Sequence, residues 1–185
     1  MSVLTLDATY PTQRNRLTAV FRIIVAIPHL IVSQFWGYLV EALAVVQWFI
    51  VVFTGKRNKG IYEMQRSWLD YYGRVITYVA LIHDVFPPFG ADPSGTVPVR
   101  TELAEEEEAN RLTVGLRFLW IIPAAIMMMF VGIAAAVVGL ISWFSILFTG
   151  KQSQGMWDFV YKAIRFALRV QSYGLLLTDT YPSYS

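Results

Sequence analysis

The sequence predicts an all-α integral membrane protein built from two tandem helical units. Three observations carry that expectation. First, the chain of 185 residues is 56% hydrophobic and only 15% charged, with a mean hydropathy of +0.48. A soluble domain usually carries about 25% charge. Second, the apolar residues fall in long blocks. Leu30 to Phe53 contains one charge, Glu41, and Leu119 to Thr149 contains none. About 20 apolar residues cross a hydrocarbon core as a helix, so each block is long enough to span. Third, residues 15–89 align with residues 110–184 at a constant offset of 95, without a gap. About 23 of those 75 positions are identical, the signature of an internal repeat.

The repeat divides the chain into an N-terminal segment (1–14), a first unit (15–89), a linker (90–109) and a second unit (110–185). Asn15-Arg16-Leu17-Thr18 returns as Asn110-Arg111-Leu112-Thr113. Arg22 and Pro28 return as Arg117 and Pro123. Trp48 and Phe53-Thr54-Gly55-Lys56 return as Trp143 and Phe148-Thr149-Gly150-Lys151. Arg74, Tyr78, Asp84 and Pro87 return as Arg169, Tyr173, Asp179 and Pro182. A residue kept in both halves serves the unit, and a residue found in one half does not belong to the shared plan.

Each unit reads as three segments. In the first, Leu17, Val20, Phe21, Ile24 and Ile27 form an apolar stripe at helical spacing, with Asn15, Thr18 and Arg22 on another face. Pro28 and Pro123 are expected to end or kink this helix. A short helix with one basic side suits the bilayer interface. The second segment, about His29 to Thr54 and Ala124 to Thr149, is the spanning helix, reaching about 39 Å. Trp48 and Trp143 fit an aromatic belt near its far end. Gly55-Lys56 and Gly150-Lys151 close it, glycine as the cap and lysine at the negative end of the dipole.

The third segment, about 60–83 and 155–178, carries a charged stripe on one helical face. The stripe is Glu63, Arg66, Asp70 and Arg74 in the first unit, and Asp158, Lys162, Arg165 and Arg169 in the second. Two placements are open. Charges near mid-bilayer cost at least about 2.5–3.5 kcal/mol each, which favours the interface. The segment's length favours spanning, and spanning is preferred, giving four transmembrane helices. Two crossings per unit make the repeats parallel, with their axis along the membrane normal. One crossing makes them inverted, with the axis in the membrane plane.

Several residues are candidates for contacts beyond the unit. Arg16, Arg22, Arg111 and Arg117 are expected at the interface, where guanidinium forks match the phosphates of anionic headgroups. The plainer reading is that they anchor the helix by snorkelling. Asp70 and Arg165 occupy equivalent positions with opposite charge. Near a pseudo-two-fold axis they would pair across a repeat interface that also includes Arg74 and Arg169. The plainer reading is pairing within each helix at i,i+4. The Asp84-x-aromatic-Pro and Asp179-x-aromatic-Pro exits read as punctuation, with the aspartate bonded to local amides. Gly132, Ala134 to Ala136 and Gly139 would permit close helix contact. The linker, with its acidic run Glu105 to Glu108, is a solvated connection or a docking tail for a basic partner.

The pattern excludes several function classes. Cysteine is absent, so thiolate metal sites and cysteine nucleophiles are excluded. A net charge of +2 does not suggest nucleic acid. No phosphate-cradling glycine motif, His-Glu-x-x-His helix or nucleophile elbow is present. His29 and His83 are the only histidines. Two axial histidines can hold a haem, but neither recurs in the second unit, and ordinary structural histidines are expected. No catalytic residue, metal or cofactor is therefore assigned. No short apolar core with a small-residue cleavage site precedes the first block, so insertion is expected to use the first membrane helix itself.

The pattern Tyr-Pro, Asn-Arg-Leu, Ile-Pro-His, Trp-Phe, Phe-Thr-Gly-Lys, Arg-Val and Asp-x-aromatic-Pro resembles a family of bacterial membrane proteins classed only as a domain of unknown function. The resemblance covers nearly the whole chain, twice over. It implies a membrane protein of repeated units and no activity. The expectation is a multi-pass protein of the inner, cytoplasmic membrane. Its role would be that of a non-catalytic accessory or scaffold subunit of a larger assembly, with membrane lipids and other membrane subunits as partners. The alternative is a small lipid-binding or transport protein acting as a homo-oligomer.

Overall fold

A computed structural model describes residues 4–11, 13–90, 97–103 and 108–184. In chain order the elements are β1 (Thr5–Ala8), α1 (Arg16–Thr54), α2 (Lys59–Val79), β2 (Val99–Glu102), α3 (Arg111–Gly115), α4 (Arg117–Thr149) and α5 (Gln154–Gly174). The chain is mostly helical. Its two short strands, which the all-α expectation does not contain, pair antiparallel from Thr5 with Glu102 to Ala8 with Val99. Most of the acidic run, Glu105 to Glu107, lies outside the described residues.

The repeated Asn-Arg-Leu-Thr is a helix start. The Asn15 side chain accepts from the Thr18 amide, and the Asn110 side chain accepts from the Leu112 and Thr113 amides. The repeated Thr-Gly-Lys is a helix stop. Gly55 and Gly150 take positive φ values of 77° and 72° as C-terminal caps. Thr54 donates to the Ile50 carbonyl and accepts from the Lys56 amide, and Thr149 does the same with Ser145 and Lys151.

Neither proline ends a helix. Pro28 lies inside α1 and Pro123 inside α4, so the expected interfacial helix and spanning helix are one piece in the first unit. The reason is packing. Arg22, Ala26, His29, Ser33 and Gly37 continue one buried face through Pro28 at spacings of three and four, and that face lies against α2. The Trp68 indole donates to the Ser33 carbonyl at 2.9 Å, and a Cβ on Gly37 would sit 3.3 Å from the Trp68 ring. The second unit does break, but at Leu116, between α3 and α4.

Each unit is a helical hairpin, α1 with α2 and α4 with α5. The two hairpins embrace head to tail through reciprocal bonds. The Arg14 amide donates to the Gly150 carbonyl, and the Ala109 amide to the Gly55 carbonyl. The Trp143 indole donates to the Ala19 carbonyl at 2.8 Å, and the Trp48 indole to the Val114 carbonyl at 2.9 Å. The residues of each pair of bonds are related by the repeat offset. The start of α1 therefore lies at the end of α4, and the start of α3 at the end of α1. The units are antiparallel, and the parallel arrangement that four crossings require is not the one found. The two tryptophans thus tie one unit to the other.

The elements stack in three layers. The ribbon lies on α2 and α5, which in turn lie on α1 and α4. Leu4, Leu6, Val99 and Leu103 are buried with Leu69, Ile164 and Leu168 in one core cluster. Burying these side chains removes apolar surface from water at about 25 cal/mol per Å². The ribbon is also tied down by polar bonds: Tyr161 donates to the Leu6 carbonyl, Arg169 to the Leu4 carbonyl and Thr101 to Asp70. A linker is bound to run this way. It starts at the end of α2 and must reach α3 at the opposite end of the molecule.

The outer layer is different. Leu17, Phe21, Ile24, Phe35 and Phe53 on α1 are more than half exposed, as are Phe118, Leu119, Phe130 and Phe148 on α4. Both helices are long and apolar enough to cross a membrane. Only 22% and 6% of their most apolar stretches are buried, whereas a core helix of a soluble protein is mostly buried.

Candidate functional site

Two clusters of charge lie at opposite ends of the molecule, one per unit. In the first, Asp84 accepts from Arg22, from Arg14 at 3.4 Å and from the Asn15 amide at 3.2 Å. In the second, Asp179 accepts from Arg117 at 2.7 Å, from Arg57 at 2.8 Å and from the Asn110 amide at 2.8 Å. All four arginines are buried, and both aspartate side chains are about a quarter exposed. Arg22 also reaches the Tyr78 and His83 carbonyls and lies over the Tyr78 ring. Arg117 reaches the Tyr173 and Thr178 carbonyls and lies over the Tyr173 ring. Each clamp ties the start of its unit's first helix to the exit of its second.

The second guanidinium comes from different places. Arg57 serves the second clamp and also donates to the Leu176 and Glu108 carbonyls. Its mate at the repeat offset is Gln152, which bears no charge. In the first clamp Arg14 takes that role, donating to the Leu81 and Ile82 carbonyls and to Gln152 itself at 2.6 Å. The mate of Arg14 is Ala109. One chemical requirement is thus met from two unrelated sequence positions.

These clamps relocate two of the four arginines expected at an interface. Arg22 and Arg117 are buried, because a carboxylate and several carbonyls satisfy them inside the protein. Arg16 and Arg111 are exposed. Their guanidinium groups lie over the helix ends opposite: a Cβ on Gly150 would come within 3.2 Å of Arg16 Nε, and one on Gly55 within 2.8 Å of Arg111 Nε. Both cations thus sit at the negative end of a helix dipole, and at both caps the positive φ disfavours a side chain. The aspartates bond amides 69 residues away, not local ones as the sequence suggests.

Equivalent positions do meet near the axis, at Gly73 and Leu168, where a Cβ on Gly73 would lie 3.6 Å from Leu168. Asp70 accepts from Thr101 of β2, and the charges acting on it are Arg66 and Arg74 of its own helix. Arg165 lies over the Tyr161 ring. Arg74 donates to the Gly90 carbonyl, and Arg169 to the Leu4 and Ser183 carbonyls. Asp70, Arg74 and Arg169 of the stripes hold the ribbon and the two exit segments against α2 and α5.

Both histidines make contacts within the first unit. His29 bonds the Tyr71 hydroxyl at 2.8 Å and stacks on Phe89 with ring centres 3.9 Å apart. His83 Nε2 lies 3.2 Å from the Thr77 hydroxyl. Burial, and then the neighbouring Arg22 charge, push the His83 pKa down to about 4. The unfolded chain therefore takes up a proton near pH 6.5 that the folded one refuses, and stability falls as the pH drops from about 6.5 towards 4. His83→Thr, which installs the residue of the second unit, is expected to remove most of that acid sensitivity. Thermal melts at pH 7 and pH 5 check it: the difference in melting temperature should shrink in the variant. Among the described residues no group of three or more His, Asp or Glu is placed to hold a metal.

Two apolar grooves flank the axis along the seam between α1 and α4. The larger, about 660 Å³, is lined by Arg22 and Ile23 of α1, Ile76 of α2, and Ala136, Gly139 and Trp143 of α4. The smaller, about 320 Å³, is lined by the mates Arg117, Phe118, Gln171, Glu41, Ala44 and Trp48. They are one groove built twice, each from both units. Glu41 and Gln171 make the second more polar. Gly132 and Gly139 of α4 do not bring helices together: a Cβ on either would meet nothing within 4 Å. They hollow out the larger groove instead.

The fold and its clamps define a duplicated, antiparallel helical protein with two helices long and apolar enough to cross a membrane. The chain belongs to the family described as Domain of unknown function (DUF4389), whose sequence profile matches residues 16–91 and again residues 111–185. No curated protein and no solved structure matches it.

Proposed function

We propose that this chain is a non-catalytic accessory or scaffold subunit of a larger protein assembly in a bacterial cytoplasmic membrane. The observation that carries this reading is where its charged groups are spent. The four buried arginines close the clamps, and Asp70, Arg74 and Arg169 of the stripes hold the ribbon and the exits. The outer surfaces of α1 and α4 remain apolar and unpartnered, and contiguous exposed apolar surface of this kind marks contact with lipid or with other proteins. The multi-pass layout expected from sequence is one way for these helices to meet lipid; the layering of the fold offers another.

Gentle purification from the native membrane tests the role. A scaffold subunit should come away with a stable, different partner protein in fixed ratio. Recovery of a lone homo-oligomer would count against it and favour the second reading, a lipid-binding protein. That reading draws on the paired apolar grooves and on the exposed Arg16 and Arg111. Under it, anionic lipid should copurify with the protein and be lost on Arg16→Ala with Arg111→Ala.

A further inference from the structure

The antiparallel layering bears on how the molecule meets a bilayer. Helix α1 is about 58 Å long and α4 about 50 Å, at about 1.5 Å per residue. Suppose they stood across a membrane. The ribbon and the stripes of α2 and α5 run beside them along the same axis, so Glu63, Arg66 and Lys162 would stand at bilayer depth. The exit segment 85–90, which packs its Phe86 and Phe89 beside His29 of α1, would do the same without helical structure. Irregular backbone and open strand edges do not face lipid within the hydrocarbon. The chain also ends its first hairpin beside Asn15 and starts its second beside Gly55, so residues 85–109 would have to cross as well.

Turned through a right angle, the same molecule has no such conflict. The polarity of the fold runs across its layers and not along its helices. On one face lie α1 and α4, with the single charge Glu41 between Ile23 and Phe53 and none between Phe118 and Thr149. On the other lie the ribbon and the charged stripes. A layer one helix thick measures about 10–12 Å, within the roughly 15 Å of hydrocarbon in one leaflet.

We propose that α1 and α4 lie flat within one leaflet of a lipid bilayer, with the pseudo-two-fold axis along the membrane normal, so that the protein is embedded from one side and crosses nowhere. Acyl chains fill the two grooves of the seam, which lie within the about 300–1,000 Å³ range of small-molecule sites. Arg16, Arg111, Lys56 and Lys151, exposed at the ends of the apolar layer, meet the headgroups. The inference rests on the membrane reading above and deepens it.

The chain has no cysteine, so single cysteines report their side of the membrane without interference. Gln13, Lys56, Glu108 and Lys151 are all exposed. Gln13 and Lys151 share one end of the molecule, Lys56 and Glu108 the other. Each is replaced by cysteine in turn and challenged with a membrane-impermeant maleimide, in intact cells and in inverted vesicles. The expected result is that all four label from the same face only. Labelling of Gln13→Cys and Lys151→Cys from one face, with Lys56→Cys and Glu108→Cys from the other, would overturn the proposal in favour of an inverted spanning pair. Labelling of Lys56→Cys and Lys151→Cys from one face and the other two from the opposite face would overturn it in favour of four crossings. Recovery of the unmodified protein in the soluble fraction would instead sink the membrane reading itself.

Discussion

Asp84→Ala is expected to destabilise the protein by about 3 kcal/mol, near the lower end of the range for breaking a buried ion pair. The carboxylate is itself a quarter exposed, but the groups it leaves behind are not. Arg14 and Arg22 are buried, and both keep their positive charge at any physiological pH. Without Asp84 their remaining partners are neutral: the carbonyls of Tyr78, Leu81, Ile82 and His83, and Gln152. The start of α1 also loses the acceptor for the Asn15 amide. For a chain of this length each kcal/mol moves the melting temperature by about 2–4 °C, so a fall of about 6–12 °C should be seen by calorimetry in detergent. Replacement of the exposed Asp7 is the control and should change little. A fall no larger than that of the control would mean that the clamp does not hold the unit together.

Arg57→Gln carries the second large effect, about 2–3 kcal/mol, in the range of hydrogen bonds that involve a charged group. It removes bonds to Asp179, Leu176 and Glu108, which lie in the second unit and the linker leading to it, and so strikes the joint between the units. The substitution writes into the first unit the residue that the second carries at the same place, Gln152. The first clamp tolerates that glutamine because Arg14 stands beside it. Hence Ala109→Arg, at the position equivalent to Arg14, should restore more than half of the lost stability in the Arg57→Gln background. The restoration appears as coupling in a double-mutant cycle. Purely additive effects would show that the two clamps are not interchangeable solutions of one requirement.

The repeat made much of this legible. It marked the caps, because Asn15, Thr54 and Gly55 recur, and each has a local reason to sit at a helix end. It marked Arg22 and Asp84 as members of the unit's plan. What it could not reveal was that they meet, since nothing local connects residues 62 positions apart, and an arginine on an amphipathic stripe reads as naturally towards headgroups as towards a carboxylate. The shared opposite charges, both kept at the offset of 95, were the available signal. Arg57 and Arg14 were hidden for the opposite reason: each breaks the repeat, and each is needed because the other clamp finds its second cation elsewhere.

The prolines and small residues misled in a physical way. Pro28 removes one helix bond, but the face running through Ala26, His29 and Ser33 stays packed on α2, which outweighs the loss. Gly132 and Gly139 suggest close helix contact, yet closeness needs an opposing helix, and the seam there is open. The ribbon was hard to read because its strands are only four residues long: Leu4, Leu6 and Ala8 alternate with Thr5 and Asp7, and Val97, Val99 and Leu103 with Arg100 and Glu102, but so short a pattern, half of it in a proline- and glycine-bearing linker, does not single out a strand. They form only because the antiparallel hairpins oblige the linker to travel the length of α2 beside residues 4–8.

That antiparallel embrace is the central claim, and cross-linking reads it directly. Lys56 and Glu108 form an antiparallel bridge, which places their Cα atoms about 4.5–5.5 Å apart, within reach of a disulfide. Lys56 and Lys151 stand at opposite ends, about 50 Å apart along α4. In this cysteine-free chain, Lys56→Cys with Glu108→Cys should form an intramolecular disulfide on mild oxidation, while Lys56→Cys with Lys151→Cys should not. A cross-link in the second pair and none in the first would mean that the two units run parallel, and would contradict the fold described for them.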